Sequence, residues 1–512
     1  MSGSRGARPP SWIPDWLRHR ATVHPERLAL VAVGERLSFA DLDRRADRAA
    51  RRLAASGVGA GVRVAVLARA GAAFAVLAHA LPRIGAVMVP LNVRLAPPEI
   101  TWQVTDSRAA FLLYEDGLAD LARTACGDLP GLTCVPIATM DSHTVGDTPV
   151  PAAQAEVTGP VPGPLRDWID LAGLQGIIYT SATSGRPKGV MLSFGNHWWS
   201  AIGTGLHLGL SRHDRWLAVL PLFHVGGLAI LWRCVIYGIP AIVHEAFDPA
   251  AVNQAIDAEG VTLISVVSTM LERMLDERGG RPYPPTLRCV LLGGGPAPGP
   301  LVERCLRLGV PVAPTYGLTE AASQVATMLP GEVAARPGAA GKPLPPAEIR
   351  IEDEEILVRG PTVMLGYAGR PEETARTLRG GWLHTGDLGH QDADGYLYVH
   401  ERRDDLIITG GENVYPAEVE AVLLAHPGVE DAGAVGVPDQ QWGQVVAVAV
   451  KCRPGARLTA GEVRAFCRTR LAGYKTPKHV WFVDNLPRSP AGKLIRRLLR
   501  EQAPASVEPE AW

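Results

Sequence analysis

The chain has 512 residues, of which 51 are Lys or Arg and 52 are Asp or Glu, so its formal net charge is −1. Nucleic acids and acidic membranes are bound by surfaces with an excess of basic residues, so this balance argues against both as partners. The length exceeds what one hydrophobic core usually supports, which predicts a large domain and a smaller one.

The seven cysteines are scattered and form no CxxC pair. Reduced thiols in a cytoplasm explain this pattern better than a disulfide framework or a zinc site. At the N-terminus, Met1–Arg8 is not followed by an apolar core segment, so we expect no signal peptide. The most apolar stretch, Ala70–Leu91, is interrupted by a histidine, a proline and an arginine. It predicts a buried helix and a strand rather than a membrane span.

Short apolar runs alternate with helical patterns along the first part of the chain. They predict strands at Arg63–Ala68, Ala86–Pro90, Ala110–Tyr114, Trp216–Pro221, Ala241–His244, Thr262–Val267 and Cys289–Leu292. A helix at Phe74–Arg83 lies between two of them, as a crossover would. Strands that are apolar on both faces and alternate with helices are typical of parallel sheets covered by helices. We therefore predict an α/β fold for a large N-terminal domain, residues 1–403.

A loop of small and hydroxylated residues with one lysine, Tyr179–Gly189 (YTSATSGRPKG), follows an apolar run. Small residues leave backbone N–H groups accessible, so such a loop can surround an anionic group. It is not a Walker loop, because Lys188 is followed by Gly189 and not by a magnesium-binding hydroxyl. The loop predicts a nucleotide-phosphate site, and its binding residues are Thr180, Ser181, Thr183, Ser184, Gly185 and Lys188.

A second domain is predicted after the charged residues near Arg402, where the apolar pattern is interrupted. The patterns predict helices at Ala417–Leu424 and Ala460–Leu471 and strands at Gly433–Val437 and Val445–Val450. A unit of roughly a hundred residues is adequate for a small α+β domain. We place this domain at residues 404–512.

Further motifs follow the phosphate loop in a fixed order. They are PLFHVGGL (Pro221–Leu228), LLGGGPAP (Leu291–Pro298), TYGLTE (Thr315–Glu320), GWLHTGDLG (Gly381–Gly389), RRDDLIITGGENVYPAEVE (Arg402–Glu420) and PRSPAGK (Pro487–Lys493). With the phosphate loop, they resemble the motifs of the adenylate-forming acyl-CoA synthetase superfamily, although Ala182 and Ser184 stand where glycine and threonine are usual. The resemblance implies stacked, parallel-rich sheets with helices, a β-barrel-like part, and a small mobile α+β C-terminal domain.

The resemblance also implies a two-step reaction with ATP, Mg²⁺ and CoA. A carboxylate attacks the α-phosphate of ATP, diphosphate leaves, and a thiol then displaces AMP from the mixed anhydride. The implied catalytic residues are Lys493, His224, Thr183 and Glu320. Of these, Glu320 and Thr183 would bind magnesium, which prefers oxygen ligands. Lys493 would supply the cation beside the reacting oxygens during adenylation.

The nucleotide and CoA contacts are likewise implied by the resemblance. They are Gly293, Gly294, Gly295 and Tyr316 near adenine, Gly317 in the same motif as Tyr316, Thr319 at the phosphate, Asp387 at the ribose, Arg402 at the ribose and phosphate, and Gly410 and Gly411 near the thiol. A carboxylate such as Asp387 suits a vicinal diol because it accepts from two donors. Asp404 would be the hinge of the small domain between the two steps.

The acid substrate is indicated by the pocket motifs. Those motifs are FGNHWWSA (Phe194–Ala201), LGLSRHDRWLAVLPLFHVGGL (Leu208–Leu228), VIYG (Val235–Gly238), LLGGGPAP and YGLTEAASQ (Tyr316–Gln324). They resemble ligases of menaquinone biosynthesis that activate 2-succinylbenzoate, an aromatic ring with one carboxylate and a succinyl chain ending in another. Our candidate pocket residues are His197, Trp199, Thr204, Ser268, Ser323 and Gln324. The carboxylate that does not react must be paired or solvated, but the sequence identifies no buried cation for it.

Three other functions stay open. A ligase for medium-chain fatty acids or aryl acids would share the nucleotide motifs and differ in the pocket. A stand-alone amino-acid adenylation enzyme would normally keep an Asp for the substrate amine and be fused to a carrier domain. A non-catalytic nucleotide sensor would be expected to lack Lys493 or Glu320, and both are present. We expect no stable membrane insertion, and a homodimer is compatible with the sequence.

Overall fold

The computed structural model describes residues 11–141, 165–180, 186–295, 297–399, 406–487 and 494–503. The predicted loop Asp141–Pro164 falls almost wholly outside this part, as do the predicted hinge and the domain boundary at 403/404. The described residues form four larger sheets and one two-stranded pair.

The first large sheet is mainly parallel. The strands up to residue 193 are β1 (Trp12–Pro14), β2 (Leu28–Ala32), β3 (Glu35–Ser38), β4 (Arg63–Leu67), β5 (Val87–Pro90), β6 (Phe111–Tyr114), β7 (Thr133–Pro136), β8 (Trp168–Asp170), β9 (Leu174–Thr180) and β10 (Lys188–Ser193). The helices are α1 (Trp16–Val23), α2 (Phe39–Ala55), α3 (Ala72–Ile84), α4 (Pro97–Asp106), α5 (Ala119–Cys126) and α6 (Ala138–Asp141). Six of these strands belong to this sheet, in the order β10-β9-β5-β4-β6-β7, and a later strand adds to it at β10. Strands β9 and β10 are antiparallel, with Thr180 opposite Lys188. This hairpin therefore carries the predicted phosphate loop.

The second large sheet is parallel at its centre. It adds β11 (Trp216–Ala218), β12 (Ala241–Val243), β13 (Leu263–Val266), β14 (Cys289–Leu292), β15 (Val312–Leu318), β16 (Ser323–Thr327) and β17 (Lys342–Pro343). Its helices are α7 (Phe194–Leu208), α8 (Val225–Tyr237), α9 (Pro249–Ala258), α10 (Ser268–Arg278) and α11 (Gly299–Arg307). The order is β17-β16-β15-β14-β13-β11-β12-β2-β3, and the strands from β15 to β2 are parallel. The α/β prediction is confirmed.

Helices α3 and α8 are buried on nearly every side, as expected for helices that are apolar all round. Phe74 and Leu77 of α3 belong to the same buried cluster as Trp232 of α8 and Trp216 of β11. One core therefore joins the two sheets. The predicted helix and strand within Ala70–Leu91 are confirmed as α3 and β5.

A smaller antiparallel sheet follows the two large ones. It contains β18 (Glu348–Glu352), β19 (Glu355–Arg359), β21 (Leu378–Arg379), β22 (Trp382–Gln391) and β23 (Leu397–Val399). Between these strands, β20 (Gly366–Tyr367) pairs with β10, and α12 (Pro371–Thr377) comes next. We assign this sheet to the predicted barrel-like part, and it brings Asp387 of β22 to Tyr316 of β15.

The C-terminal unit has its own sheet and core. Its elements are β24 (Ile407–Thr409), β25 (Glu412–Val414), α13 (Pro416–Leu424), β26 (Val429–Asp439), β27 (Gly443–Cys452), α14 (Ala460–Arg468), β28 (His479–Phe482) and α15 (Arg496–Glu501). The order is β25-β24-β27-β26, and β28 pairs with β27. The α+β prediction is confirmed, although α14 ends at Arg468 and not at the predicted Leu471.

Within the described residues, no helix is both long and apolar enough to cross a membrane. All seven cysteines are free thiols. Burial raises the pKa of several of them, among them Cys126, to about 12. Buried thiols of this kind behave as small apolar side chains.

Candidate active site

The candidate site lies at one edge of the second sheet. Strands β11, β13, β14 and β15 run parallel, so their carboxyl ends meet at one edge, where α/β sheets usually bind ligands. The segments that follow these strands contain His224, Ser268, Gly293–Gly295 and Glu320. The topology thus brings together residues that the sequence spreads over about a hundred positions.

Two glycines of the site are needed for close packing. A Cβ on Gly317 would lie 2.0 Å from the carbonyl oxygen of Ser323, and one on Gly293 would lie 2.9 Å from the Thr315 methyl group. Ser323 itself has φ of 100°, an unusual value for a residue with a side chain. The chain at this turn is therefore held tightly against β15.

Tyr316 and Asp387, both predicted to bind the nucleotide, contact each other in the structure. The Tyr316 hydroxyl donates to Asp387 Oδ2 across 2.7 Å, and Asp387 is 3 % exposed. This bond joins β15 of the large sheet to β22 of the antiparallel sheet. It fixes the orientation of the carboxylate that the sequence predicts for the ribose.

Glu320 and Lys188 both contact Tyr367. The Tyr367 hydroxyl donates to Glu320 Oε1 across 3.0 Å, and the Lys188 ammonium lies 5.0 Å from the centre of the Tyr367 ring. Burial and then the charge of Glu320 raise the pKa of Tyr367, so the hydroxyl stays a donor. Lys188 also lies 3.6 Å from Glu373 Oε2.

This arrangement fits a magnesium ion with phosphate ligands. Magnesium usually takes one or two carboxylates and completes its shell with phosphates and waters. Glu320 provides one fixed carboxylate beside the hairpin that carries the phosphate loop. The second predicted ligand, Thr183, lies outside the described residues.

Two of the residues predicted for the acyl pocket, His197 and Thr204, lie on one face of α7. Residues 197, 200 and 204 are buried and lie on the same face because they are three and four positions apart. The Thr204 hydroxyl donates to Gln324 Oε1 across 2.9 Å, and His197 Nε2 lies 3.1 Å from Gln175 Oε1. Burial and then the charge of Arg233 lower the pKa of His197 to about 3, so this imidazole is neutral.

The prediction for Trp199 is not supported by its position. Trp199 lies two residues from His197, which places it about 200° round the helix. It is 37 % exposed and shares its face with Leu206, which is 70 % exposed. The structure therefore does not bring Trp199 to the face of α7 that carries His197 and Thr204.

A buried arginine, which the sequence prediction missed, lies behind this face. Arg233 of α8 is 2 % exposed and donates to the Ser200 hydroxyl across 3.2 Å. Ser200 in turn donates to the carbonyl oxygen of Ala322, the residue before Ser323. Among the described residues, no hydrogen-bond partner lies at Arg233 Nε, and no carboxylate offsets the burial that lowers the pKa of its guanidinium.

The signal for Arg233 is present in the sequence, because it is a lone charge in the apolar segment Val225–Tyr237. An arginine in a fully apolar helix is costly to bury unless a partner satisfies it. What the sequence does not show is that this partner is a serine and not a carboxylate.

The C-terminal unit inserts a hairpin turn into the site. Gly410 and Gly411 have positive φ values of 57° and 85°, and a Cβ on Gly411 would lie 3.0 Å from a methyl group of Val267. The next residue, Glu412, is 3 % exposed and lies 2.9 Å from His224 Nε2. Burial would raise the pKa of Glu412, but His224 and Arg94 outweigh it and hold this pKa below its usual value.

Several predicted site residues lie outside the part of the chain that the structure describes. They are Ser181, Thr183, Ser184, Gly185, Arg402, Asp404 and Lys493. Their roles stay predictions from the sequence motifs. Of the other predicted residues, Thr180 ends β9 and Thr319 begins the turn that carries Glu320.

Comparison with known proteins identifies the family. A model of the AMP-binding enzyme family matches residues 17–368, and a model of the AMP-binding enzyme C-terminal domain matches residues 418–493. The chain therefore belongs to the AMP-binding enzyme family, as the sequence motifs predict.

Individual relatives are similar over nearly the whole chain. A 2-succinylbenzoate–CoA ligase from Geobacillus kaustophilus is 47 % identical over 97 % of this chain and 99 % of its own. An o-succinylbenzoate CoA synthetase from Bacillus subtilis, a double mutant bound with its product analogue, has a TM-score of 0.87 at 38 % identity, covering 96 % of this chain and 99 % of that one. The Bacillus subtilis enzyme in complex with ATP and magnesium has a TM-score of 0.71 at the same 38 % identity and the same coverage of 96 % and 99 %.

Proposed function

We propose that the chain is an AMP-forming acid–thiol ligase that converts 2-succinylbenzoate, CoA and ATP into 2-succinylbenzoyl-CoA, AMP and diphosphate. The ligase class follows from the family and from relatives that match nearly the full chain. The observation that carries the choice of acid is Arg233, a buried cation whose hydrogen-bond partner among the described residues is a serine. A dianionic acid can pair with this guanidinium, whereas a fatty acid would leave it unused.

In the first step, an oxygen of the succinyl carboxylate attacks the α-phosphorus of ATP, and the bond to the bridging oxygen of diphosphate breaks. Asp387, oriented by Tyr316, would hold the ribose, and Lys188 would exchange its contact with Glu373 for phosphate oxygens. Glu320 and Thr183 would hold magnesium, which would neutralise charge on the triphosphate. Lys493 is proposed to approach the reacting oxygens in this step.

In the second step, the CoA thiol gives up its proton to water, the thiolate attacks the acyl carbon, and AMP leaves with the bonding electrons. The orientation of the C-terminal unit in the structure fits this step, because its Gly410–Glu412 turn lies against His224. It is also supported by the higher TM-score to the product-analogue complex than to the ATP complex. We propose that the C-terminal unit rotates about Asp404 between the two steps.

The decisive experiment measures diphosphate release with ATP, CoA and one acid at a time. The acids are 2-succinylbenzoate, benzoate, octanoate and palmitate, which separate the dianionic, aryl and fatty substrates. We expect kcat/KM to be highest for 2-succinylbenzoate. A preference for octanoate or benzoate would favour a medium-chain or aryl-acid ligase, and no release with any acid would contradict the ligase assignment.

The remaining assignments stay proposals. We place the domains at residues 1–403 and 404–512, which agrees with family matches on either side of this boundary. The free cysteines are consistent with a cytoplasmic location. A homodimer is a further prediction, and light scattering of the purified protein measures it directly.

A further inference from the structure

A buried lysine lies between two carboxylates at the junction of the large and C-terminal units. Lys475 is 3 % exposed, and its ammonium lies 2.7 Å from Glu99 Oε1 and 2.7 Å from Glu418 Oε1. Glu418 belongs to α13 of the same C-terminal unit, whereas Glu99 belongs to the first turn of α4 in the large unit. One partner would therefore move with Lys475 and the other would not.

The lysine is next to the contact that places the C-terminal turn in the active site. The segment before Glu99 also contacts the C-terminal unit, because Asn92 donates to the Tyr474 hydroxyl across 3.3 Å and Arg94 lies 3.3 Å from Glu412. Glu412 is the residue that meets His224. A single surface of the large unit, residues 92–99, thus supports both Lys475 and the turn.

The contact between Lys475 and Glu99 depends on how the C-terminal unit is oriented against the large unit. Burial opposes the charge on Lys475, but Tyr474, Glu418 and Glu99 raise its pKa, so the ammonium is retained. When the C-terminal unit turns away, Lys475 keeps Glu418 but its bond to Glu99 is broken. This bond therefore exists in only one orientation of the C-terminal unit and shifts the equilibrium towards that orientation.

We infer that Glu99 is a positioning residue for the thioester-forming step, acting through Lys475 to hold the Gly410–Glu412 turn against His224. This inference rests on the proposed function, because it assigns Glu99 to one of the two steps. Among the described residues, the hydrogen bonds of Glu99 join it to Ala96 and Lys475 and to none of the predicted nucleotide or acyl residues. Its effect is on how often the C-terminal unit occupies the pose for thiol transfer.

The substitution Glu99→Gln tests this inference without removing the cap of α4. Glu99 Oε2 accepts the Ala96 N–H across 2.9 Å, and a glutamine oxygen can accept the same bond. The NH₂ group of the glutamine would then face the Lys475 ammonium. Because both groups are hydrogen-bond donors, the interaction between residues 99 and 475 is lost. The matched control is Glu115→Gln, since Glu115 also accepts one backbone N–H and one cationic side chain, both from Arg69 of the large unit.

The two steps are measured separately, with diphosphate release in the absence of CoA and with transfer from preformed acyl-AMP to CoA in a single turnover. For Glu99→Gln we expect transfer to slow about 10-fold, within the usual range of conformational coupling, and diphosphate release to stay near wild type. Glu115→Gln should change neither rate. Unchanged transfer, or an equal fall in both rates, would overturn the inference.

A second comparison distinguishes an effect that acts through Lys475 from a general loss of structure. In a Lys475→Met background, Glu99→Gln should have no further effect on transfer, because its partner is already gone. An undiminished effect there would show that Glu99 does not act through Lys475. If the wild-type chain released no diphosphate with 2-succinylbenzoate, the proposed function would fail, and the transfer assay with acyl-AMP would still report on Glu99.

Discussion

The guanidinium of Arg233 on α8 donates to the hydroxyl of Ser200 on α7 across 3.2 Å. Both residues are buried, and Ser200 also holds the Ala322 carbonyl at the turn that leads to Ser323. A carboxylate that entered beside Ser200 would meet a cation already fixed in place and largely stripped of water. Such preorganised charge favours a substrate with a second carboxylate over one without it.

The first prediction is that Arg233→Met discriminates against the dianionic acid. Charge-assisted hydrogen bonds contribute about 1.5–3 kcal/mol, so we expect kcat/KM for 2-succinylbenzoate to fall about 10- to 100-fold. The rate with benzoate should fall less or rise, because no second carboxylate is lost. Diphosphate release with both acids measures the ratio, and an equal fall for both would show that Arg233 has a general structural role.

The second prediction concerns the turn that enters the site from the C-terminal unit. Gly411→Ala would place a Cβ against Val267 at a φ of 85°, a conformation that costs a residue with a side chain about 1–2 kcal/mol. We expect thiol transfer to slow at least about 10-fold, because the turn could no longer lie flat against the large unit. Adenylation should be affected much less.

The control for this substitution is Gly455→Ala. Gly455 has a φ of 84°, and nothing lies within 4 Å of the Cβ it would gain. The Gly455→Ala variant therefore has the same backbone strain as Gly411→Ala but no contact like the one with Val267. If both variants slowed transfer equally, strain in the C-terminal unit and not the contact with Val267 would be the cause.

The apolar strands were predictable because their signal is local. A run such as Cys289–Leu292 is buried on both faces of a parallel sheet, so it is recognisable without its neighbours. The contacts that form the site are not local. Lys475 and Glu99 are 376 positions apart, and no pattern in either segment indicates that they meet.

In the candidate site, too, the residues were predictable from local motifs but their contacts were not. The motifs predict Tyr316 and Asp387 as nucleotide residues, but not that the tyrosine donates to the aspartate. Trp199 follows His197 closely in the sequence, yet the turn of α7 places it on the exposed face. Burial depends on which face of a helix meets the core, and the many apolar residues of α7 leave that choice open.

The third prediction is a loss of stability in mild acid. Burial and then the charge of Arg83 lower the pKa of His79 to about 3, and His197 has a similar value. The unfolded chain protonates these histidines below about pH 6.5, whereas the folded chain does not until about pH 3. Stability is therefore complete above about pH 6.5 and falls as the pH drops, by up to about 1.4 kcal/mol per pH unit for each histidine.

Urea unfolding followed by tryptophan fluorescence tests this dependence between about pH 7 and about pH 5. His79 lies 5.0 Å from the Trp232 ring, so the signal reports on the same core. His79→Gln removes one titrating group and should reduce the slope of stability against pH. His213→Gln, at an exposed position, should leave the slope as in wild type, and an unchanged slope in His79→Gln would contradict the prediction.

The fourth prediction concerns a variant that slows adenylation and spares thiol transfer, the reverse of Gly411→Ala. Lys493→Ala should slow adenylation about 10²–10³-fold, the usual cost of losing one charge contact in the transition state. Transfer from preformed acyl-AMP should be spared, because we assign this step to the Gly410–Glu412 turn, whose Glu412 meets His224 in the described structure. Lys478→Ala provides a control, since Lys478 belongs to the same unit, contacts the Trp442 ring and precedes β28. This variant should keep the adenylation rate. If Lys493→Ala slowed both steps equally, the lysine would support the fold of the C-terminal unit and not the activation of the acid. The proposal that Lys493 serves the first step and the Gly410–Glu412 turn the second would then be wrong.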